Sequence, residues 1–172
     1  MVSILKVDTI KKTNDSIPTV ADLGISTTGL GPNILQVVSS GIVNSQFQTT
    51  SGSYVTTNCD VNITPSALSS KVLVFANVTG YYILGGGTDS GGSGAIYRNN
   101  NTELYGSNAR FGYIRDNSST SLEVAIPLVL QFLDTPSTTS QLTYSIYMSA
   151  HSGGTVWTNN HDRSIIAMEI AG

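Results

Sequence analysis

Charged side chains are scarce in this chain, and its few basic residues are scattered. Charged residues make up 11% of the 172 positions, whereas an ordinary soluble domain carries roughly 25%. The formal net charge is −3, so there is no basic patch of the kind that binds a phosphate backbone. We therefore expect no nucleic-acid partner. Ser, Thr, Asn and Gly replace the charges, a composition more typical of coats, fibres and adhesive modules than of enzymes.

Cysteine and long apolar runs are also sparse. Cys59 is the single cysteine, which excludes an intrachain disulfide and a cysteine-based zinc site. Its simplest interpretation is a small buried side chain on a strand. No apolar run approaches the roughly 20 residues that cross a bilayer. The sequence therefore predicts no membrane insertion.

The two histidines offer little for chemistry. His151 and His161 lack the spacing of a metal site. A hydrolytic triad would have to recruit Ser152 or Ser164, with Asp162 as a neighbour of His161, and nothing around either serine resembles a nucleophile elbow. We interpret both histidines as loop-surface residues, with metal binding or catalysis as the alternatives. The sequence thus predicts no enzyme, no cofactor and no metal.

Short apolar runs separated by polar turns fill the chain from Asn33 onward. Several alternate with a period of two, and none carries a helical stripe. Asn99-Asn100-Asn101 predicts a hairpin, because Asn tolerates positive φ, and Pro127 predicts a bulge or an edge strand. The pattern favours an all-β antiparallel sandwich, either a jelly roll or another Greek-key fold. The predicted strands are Ile34–Ser39, Tyr54–Ile63, Lys71–Tyr82, Ala95–Arg98, Thr102–Tyr105, Arg110–Ile114, Ser121–Asp134, Leu142–Ala150 and Ser164–Ile170.

Gly31-Pro32 marks a boundary between two regions. Residues 1–32 are predicted to form a short extended arm, and residues 33–172 the sandwich domain. Some thirty residues cannot bury a core alone, so the arm needs a partner surface. Leu5, Val7 and Ile10 supply its apolar alternation, and we predict that they anchor the arm to a larger assembly, for example by strand addition.

The predicted strands carry more large apolar residues than the inner faces of a monomeric sandwich would hide. Some of them are therefore expected to pack between subunits of a symmetric oligomer. The residues concerned are Leu73, Phe75, Tyr81, Tyr82, Leu128, Leu130 and Phe132.

The stretch 85–94 is rich in glycine. It lacks the Gly-Lys-Ser/Thr ending of a phosphate loop and opens no helix, so we interpret it as a flexible loop at one end of the sandwich. Gly87, Thr88 and Asp89 in this loop, together with Trp157, are the candidate receptor-contact residues. Exposed aromatic rings could form a sugar platform, or they could simply fill the core and subunit interfaces. The aromatic residues concerned are Trp157, Tyr81, Tyr82, Tyr97, Tyr105 and Tyr113.

Several stretches occur in an order that resembles a known domain. They are Ile34-Leu35-Gln36-Val37-Val38, Phe47-Gln48-Thr49-Thr50-Ser51, the run from Thr64 to Val74, the run from Leu133 to Ser140, and the run from Ile165 to Ile170. Together they resemble a domain common in virion structural proteins of tailed bacteriophages, especially marine and cyanobacterial ones. The opening Leu5-Lys6-Val7-Asp8-Thr9-Ile10 is also similar to the start of many phage structural proteins.

This resemblance implies a tumour-necrosis-factor-like jelly roll that forms a homotrimer on the virion, and it implies no catalytic residues. Because only some thirty residues precede the domain, it favours capsid decoration (cement) or a short head fibre over a long tail fibre. The expected partners are other copies of the chain and the major capsid protein or tail proteins. The alternative is a tail fibre or knob module that attaches to a host-surface polysaccharide. The expected location is the capsid surface or the tail.

Overall fold

The computed structural model describes residues 33–86, 89–106, 111–114, 121–151, 153–159 and 163–172, with the backbone alone for 80–86 and 121–122. The described strands all belong to one compact unit, Ile34–Gly172. They are β1 (Ile34–Ser39), β2 (Phe47–Thr49), β3 (Val55–Ile63), β4 (Lys71–Gly86), β5 (Ser90–Arg98), β6 (Thr102–Tyr105), β7 (Gly112–Ile114), β8 (Ser121–Asp134), β9 (Leu142–His151), β10 (Thr155–Thr158) and β11 (Arg163–Ile170).

The strands form two antiparallel sheets, which confirms the predicted all-β class. The six-stranded sheet has the order β1-β11-β4-β10-β2, with β8 on the other side of β4, and the five-stranded sheet has the order β3-β9-β5-β6, with β7 also paired to β5. Every pairing between these strands is antiparallel. In the described part of the chain, no helix is long and apolar enough to cross a membrane.

The core lies between the two sheets and follows the period-two alternation of the sequence. In β3, Cys59, Val61 and Ile63 are buried while the residues between them are exposed. β11 alternates in the same way, and Ile165 and Ala167 point inward. This alternation confirms that each of these strands has one buried face. Leu128 and Leu130 of β8 are also in this core, so they are not available for the subunit contacts considered above.

Two local predictions about turns and edges are confirmed. Asn99 and Asn100 have φ values of 52° and 60° and join β5 to β6 as a hairpin. Within the described residues, β8 pairs with β4 alone, and its Pro127 lies opposite a bulge in β4 between Val78 and Tyr81. A proline cannot donate to a sheet ladder, so it fits this interruption.

The prediction of a loop over residues 85–94 is wrong for most of its length. Gly85 and Gly86 end β4, and Ser90 to Gly94 begin β5. The glycines are needed because neighbours approach the strand closely: a Cβ at Gly91 would lie 2.9 Å from the carbonyl oxygen of Gly112, and one at Gly94 would overlap the Leu128 side chain. Glycine in a strand often marks such an approach.

A buried carboxylate ties the last strand to the turn before β4. Oε1 of Glu169 accepts hydrogen bonds from the Ser66 amide, the Ser66 hydroxyl and the Ser70 hydroxyl, each at 2.7 Å, and Oε2 accepts one from Gln36 Nε2 at 2.6 Å. Burial alone would raise the pKa of Glu169, but the hydrogen bonds from Ser66, Ser70 and Gln36 outweigh it and lower this pKa from 4.5 to about 2. The ionised form is therefore the one that stabilises the fold.

We expect the Glu169→Gln variant to be less stable than the parent at pH 7 by about 2 kcal/mol, because it loses charge-assisted hydrogen bonds. The folded-state pKa lies below the unfolded one, so the contribution is complete above pH 4.5 and declines as the pH falls towards 2. Urea unfolding of both proteins across this pH range measures the difference between their free energies of unfolding. The exposed Glu123→Gln change is the matched control. A stability difference that does not change with pH would contradict the assignment.

Candidate functional site

The outer face of the five-stranded sheet is polar. Along β9, Tyr144, Ile146 and Met148 point into the core, so Ser145, Tyr147, Ser149 and His151 alternate with them on the outside. The β5–β9 register places Ser93 beside Ser149 and Tyr97 beside Ser145. Hydroxyl-bearing side chains from two central strands therefore share one surface.

A cavity of about 350 Å³ opens on this face. We call it the tyrosine pocket; its lining residues are Gly52, Ser53, Tyr54, Ser93, Tyr97, Glu103, Ser149 and His151. Its volume lies at the lower end of the range for small-molecule sites. Neither a lysine nor an arginine is among these lining residues, and Glu103 is their one carboxylate.

Tyr54 and Tyr97 line the tyrosine pocket, and Tyr147, which is not among the lining residues, packs against Tyr97. The rings of Tyr97 and Tyr147 stack with centroids 4.1 Å apart and planes at 26°, and Tyr54 meets Tyr97 edge-on at 6.0 Å and 66°. The Tyr54 hydroxyl donates to the Gly106 carbonyl oxygen at 2.6 Å, and the Tyr97 hydroxyl donates to Glu103 Oε2 at 3.1 Å. These contacts hold the rings in place before any ligand arrives.

Both phenols that line the pocket are protonated at neutral pH. Burial, followed by the hydrogen bond and the charge of Glu103, raises the pKa of Tyr97 to about 12. Burial and the Glu103 charge also raise the pKa of Tyr54, against a smaller opposing effect of a hydrogen bond with Ser93. The pocket therefore presents neutral hydroxyl groups beside a single carboxylate.

A serine–histidine pair at the back of the pocket was not anticipated from the sequence. Ser93 Oγ lies 2.7 Å from His151 Nε2. Ser93 is only 1% exposed, however, so its hydroxyl is poorly placed to attack a substrate. The serine considered above, Ser164, lies on β11 in the other sheet, whereas Ser152, His161 and Asp162 lie outside the described residues. The pair is therefore best described as a polar contact that orients the imidazole.

Of the predicted contact residues, Asp89 and Trp157 are described by the structure and do not line the tyrosine pocket. Gly87 and Thr88 lie outside the described residues, as does the whole predicted arm with Leu5, Val7 and Ile10. Asp89 precedes β5 and accepts a hydrogen bond from the Tyr113 hydroxyl.

Trp157 lies within strand β10 rather than in a loop, opposite Gln48 of β2. A second cavity of about 240 Å³ is lined by Trp157, Thr155, Gln46, Gln48 and Glu123. Asp89 is not among these residues, so Asp89 and Trp157 do not share this cavity.

The aromatic residues grouped from the sequence are dispersed in the structure. Tyr97 lines the tyrosine pocket, Tyr113 contacts Asp89, and the ring of Tyr105 lies 6.5 Å from that of Phe132. The rings that do meet Tyr97 are Tyr54 and Tyr147, which the sequence analysis did not single out. Tyr147 could have been identified from the sequence, because it occupies an outward-facing position in a strand whose apolar and polar residues alternate.

The outer face of the six-stranded sheet carries an apolar row, in contrast to the tyrosine-pocket face. Registers across β1, β11, β4 and β8 align Val37, Met168, Leu73 and Leu133 in one row. Val37 is 56% exposed and Leu133 is 47% exposed. A cleft of about 520 Å³ beside this row is lined by Leu73, Phe75, Tyr105, Gln131, Phe132 and Leu133. Contiguous exposed apolar surface of this kind marks interaction sites.

Among the residues that the structure describes, no group of three or more His, Cys, Asp and Glu side chains is placed to hold a metal ion. Cys59 is buried and its Sγ lies 3.7 Å from Ser40 Oγ. Burial raises the pKa of the Cys59 thiol, against smaller lowering effects of the Ser40 hydrogen bond and the Arg163 charge. These properties agree with the interpretation of Cys59 as a small core residue.

No protein-family model matches this chain, and no curated protein matches it. Similar solved structures include a chain from the infectious bursal disease virus Gx strain, with 15% identity over 82% of this chain and a TM-score of 0.38. Another is the VP2 subviral particle of infectious bursal disease virus, with 14% identity over 82% of this chain and a TM-score of 0.35. This chain spans 32% and 37% of the lengths of those two chains. The fold description therefore rests on the strand pairings given above.

Proposed function

We propose that this chain is a structural protein of a tailed-bacteriophage virion, with a trimeric jelly roll that decorates or cements the capsid or forms a short head fibre. The observation that carries the proposal is the contrast between the two outer faces of the sandwich. One carries an exposed apolar row, as a subunit interface requires, and the other is polar, as a solvent-facing surface requires. The sequence landmarks described above supply the phage assignment.

Nested strand pairing supports the jelly roll. If β2, β7 and β10 are set aside as additions to the nested set, the first of the eight remaining strands pairs with the eighth (β1 with β11) and the second with the seventh (β3 with β9). The third pairs with the sixth (β4 with β8) and the fourth with the fifth (β5 with β6). This order results when a long hairpin is rolled into two sheets, as in an eight-stranded jelly roll.

The apolar row supports self-association through the six-stranded sheet. The row formed by Val37, Met168, Leu73 and Leu133 crosses four strands and reaches the edge strand β8. Beside that edge, the cleft includes Tyr105 from the other sheet. A contact between the edge of one copy and the face of the next is heterologous and closes as a ring when the rotation allows it. A cyclic homotrimer satisfies this geometry.

The arm, residues 1–32, is proposed to attach this trimer to the major capsid protein or to tail proteins through Leu5, Val7 and Ile10. No catalytic step is part of the proposed function. The alternative is a tail fibre or knob module for host attachment, with Gly87, Thr88, Asp89 and Trp157 as contact residues. The polar outer face with its pocket is the observation that favours this alternative.

The proposal is tested by gold labelling of intact virions with an antibody raised against residues 33–172. We expect label distributed over the head, because decoration places many copies on the capsid. The control is the Leu5→Asp, Val7→Asp double variant, which should remain folded and oligomeric but lose its label on particles. Label confined to the tail would favour the alternative. The absence of the protein from purified particles would overturn both.

A further inference from the structure

We propose that the tyrosine pocket binds a neutral sugar unit of a polysaccharide. This proposal goes beyond the virion role, because it concerns a separate surface and does not depend on where the protein sits on a particle. It also differs in place from the contact residues predicted from the sequence, since neither Asp89 nor Trp157 lines this pocket.

The hydrogen-bonding groups of the tyrosine pocket match a ligand rich in hydroxyl groups. The exposed Ser53 hydroxyl can both donate and accept, and the Tyr54 and Tyr97 hydroxyls, which donate to Gly106 and Glu103, can still accept from a ligand. Glu103 accepts one bond from Tyr97 through Oε2. A carboxylate has about four lone-pair sites, so Glu103 retains capacity for ligand hydroxyls, and such charge-assisted bonds are among the stronger ones.

Tyr54 and Tyr97 supply the apolar surface that a sugar ring also needs. A pyranose presents C–H groups on its faces and hydroxyls at its edge, and a tyrosine ring likewise combines an apolar body with a polar end. Tyr97 stacks on the ring of Tyr147 and also contacts that of Tyr54. Because these rings are already fixed, binding loses little side-chain freedom.

The charge of the pocket selects among sugars. Glu103 contributes a carboxylate, and no lysine or arginine is among the described lining residues. An anionic unit such as a uronate would place a second negative charge beside Glu103 without a cation to offset it, which is unfavourable at short range. Neutral hexoses and N-acetylhexosamines are therefore the favoured class.

Access to the tyrosine pocket is compatible with the proposed trimer. The pocket opens on the outer face of the five-stranded sheet, whereas the apolar row lies on the outer face of the six-stranded sheet. Self-association through the apolar row would therefore leave three pockets per trimer open to solvent. Three weak sugar sites on one trimer would together bind a polysaccharide more tightly than a single site, through avidity.

The test is a titration of the full-length protein with the methyl glycosides of glucose, galactose, mannose and N-acetylglucosamine, with glucuronate as the anionic comparison. Saturation-transfer NMR detects binding and calorimetry measures its Kd. We expect millimolar affinity for at least one neutral glycoside. Glu103→Gln should weaken it about ten-fold by removing charge-assisted bonds, and Tyr97→Ala should abolish it. The control is Glu123→Gln, which changes a lining residue of the other cavity, beside Trp157, and should leave binding unchanged.

Three results would overturn the proposal. They are the absence of millimolar binding by every neutral glycoside, binding that is equally strong in Glu103→Gln, and binding that is lost in Trp157→Ala but kept in the tyrosine-pocket variants. Because Glu103 is exposed, its substitution should leave the fold intact even if Tyr97→Ala does not. Failure here would leave the particle-labelling result unaffected, so the two proposals fail separately.

Discussion

Leu73→Glu is expected to convert the proposed trimer into monomers. Leu73 lies at the centre of the apolar row, with Met168 on one side and Leu133 on the other. An ionised glutamate here would be taken out of water in every subunit contact, at a cost of several kcal/mol without a compensating partner. A cost of about 4 kcal/mol corresponds to a loss of about a thousand-fold in association. Light scattering coupled to gel filtration measures the molecular mass of both proteins.

The matched control for this substitution is Thr102→Glu, which introduces the same charge at an exposed position of β6 on the other sheet. This variant should keep the parent's molecular mass. A parent protein that is monomeric at micromolar concentration would contradict the trimer. A Leu73→Glu protein that keeps the parent's mass would show that the apolar row is not the interface.

Asp134→Ala is expected to be the most destabilising single substitution considered for this domain. Arg98 Nη1 donates to both carboxylate oxygens of Asp134, at 2.9 and 2.8 Å, and the buried Tyr144 hydroxyl donates to Oδ2 at 2.7 Å. Alanine would leave a guanidinium group and a phenol without their acceptor. The free energy of unfolding is expected to fall by about 3 kcal/mol. This is the lower end of the range for breaking a buried ion pair, because Arg98 retains some contact with water. That is a large share of the roughly 5–15 kcal/mol by which domains are stable.

Two further variants sharpen this measurement. Asp134→Asn keeps an acceptor for Tyr144 but removes the charge that pairs with Arg98, so its stability should lie between those of the parent and Asp134→Ala. Asp60→Ala removes an exposed carboxylate from β3 and should change little. Urea unfolding at one fixed protein concentration compares all four, since oligomers gain stability with concentration. A loss below about 1 kcal/mol for Asp134→Ala would show that water replaces the carboxylate.

The strands that alternate apolar and polar residues were predictable from the sequence. Tyr54–Ile63 and Ser164–Ile170 differ from β3 and β11 by only one residue at one end. The Asn99–Asn101 hairpin was predictable because its backbone needs residues that tolerate positive φ. In each case the decisive physics is local: side-chain direction along a strand, or the conformation of a turn.

Long-range contacts explain what the sequence did not reveal. The Ser90–Gly94 segment looks like a loop because its glycines are poor strand formers, but Leu128 and Gly112, which are distant in sequence, require them. The short strand Thr155–Thr158 is recognisable only by its partners in β2 and β4. The tyrosine pocket likewise combines Tyr54, Tyr97 and His151 from three separated segments, whose proximity depends on the β3–β9 and β5–β9 registers.

The pairing of β1 with β11 has a consequence for how this protein folds during its synthesis on the ribosome. β11 lies between β1 and β4, and it is the last of the described strands to be translated. Until it leaves the exit tunnel, Ile34–Ser39 lacks its neighbour and the interior of the sandwich stays open. The domain therefore cannot close progressively during synthesis, and contacts between such distant segments form slowly. Apolar strands are exposed for that interval, when nascent chains are most open to chaperones and to misassembly with one another.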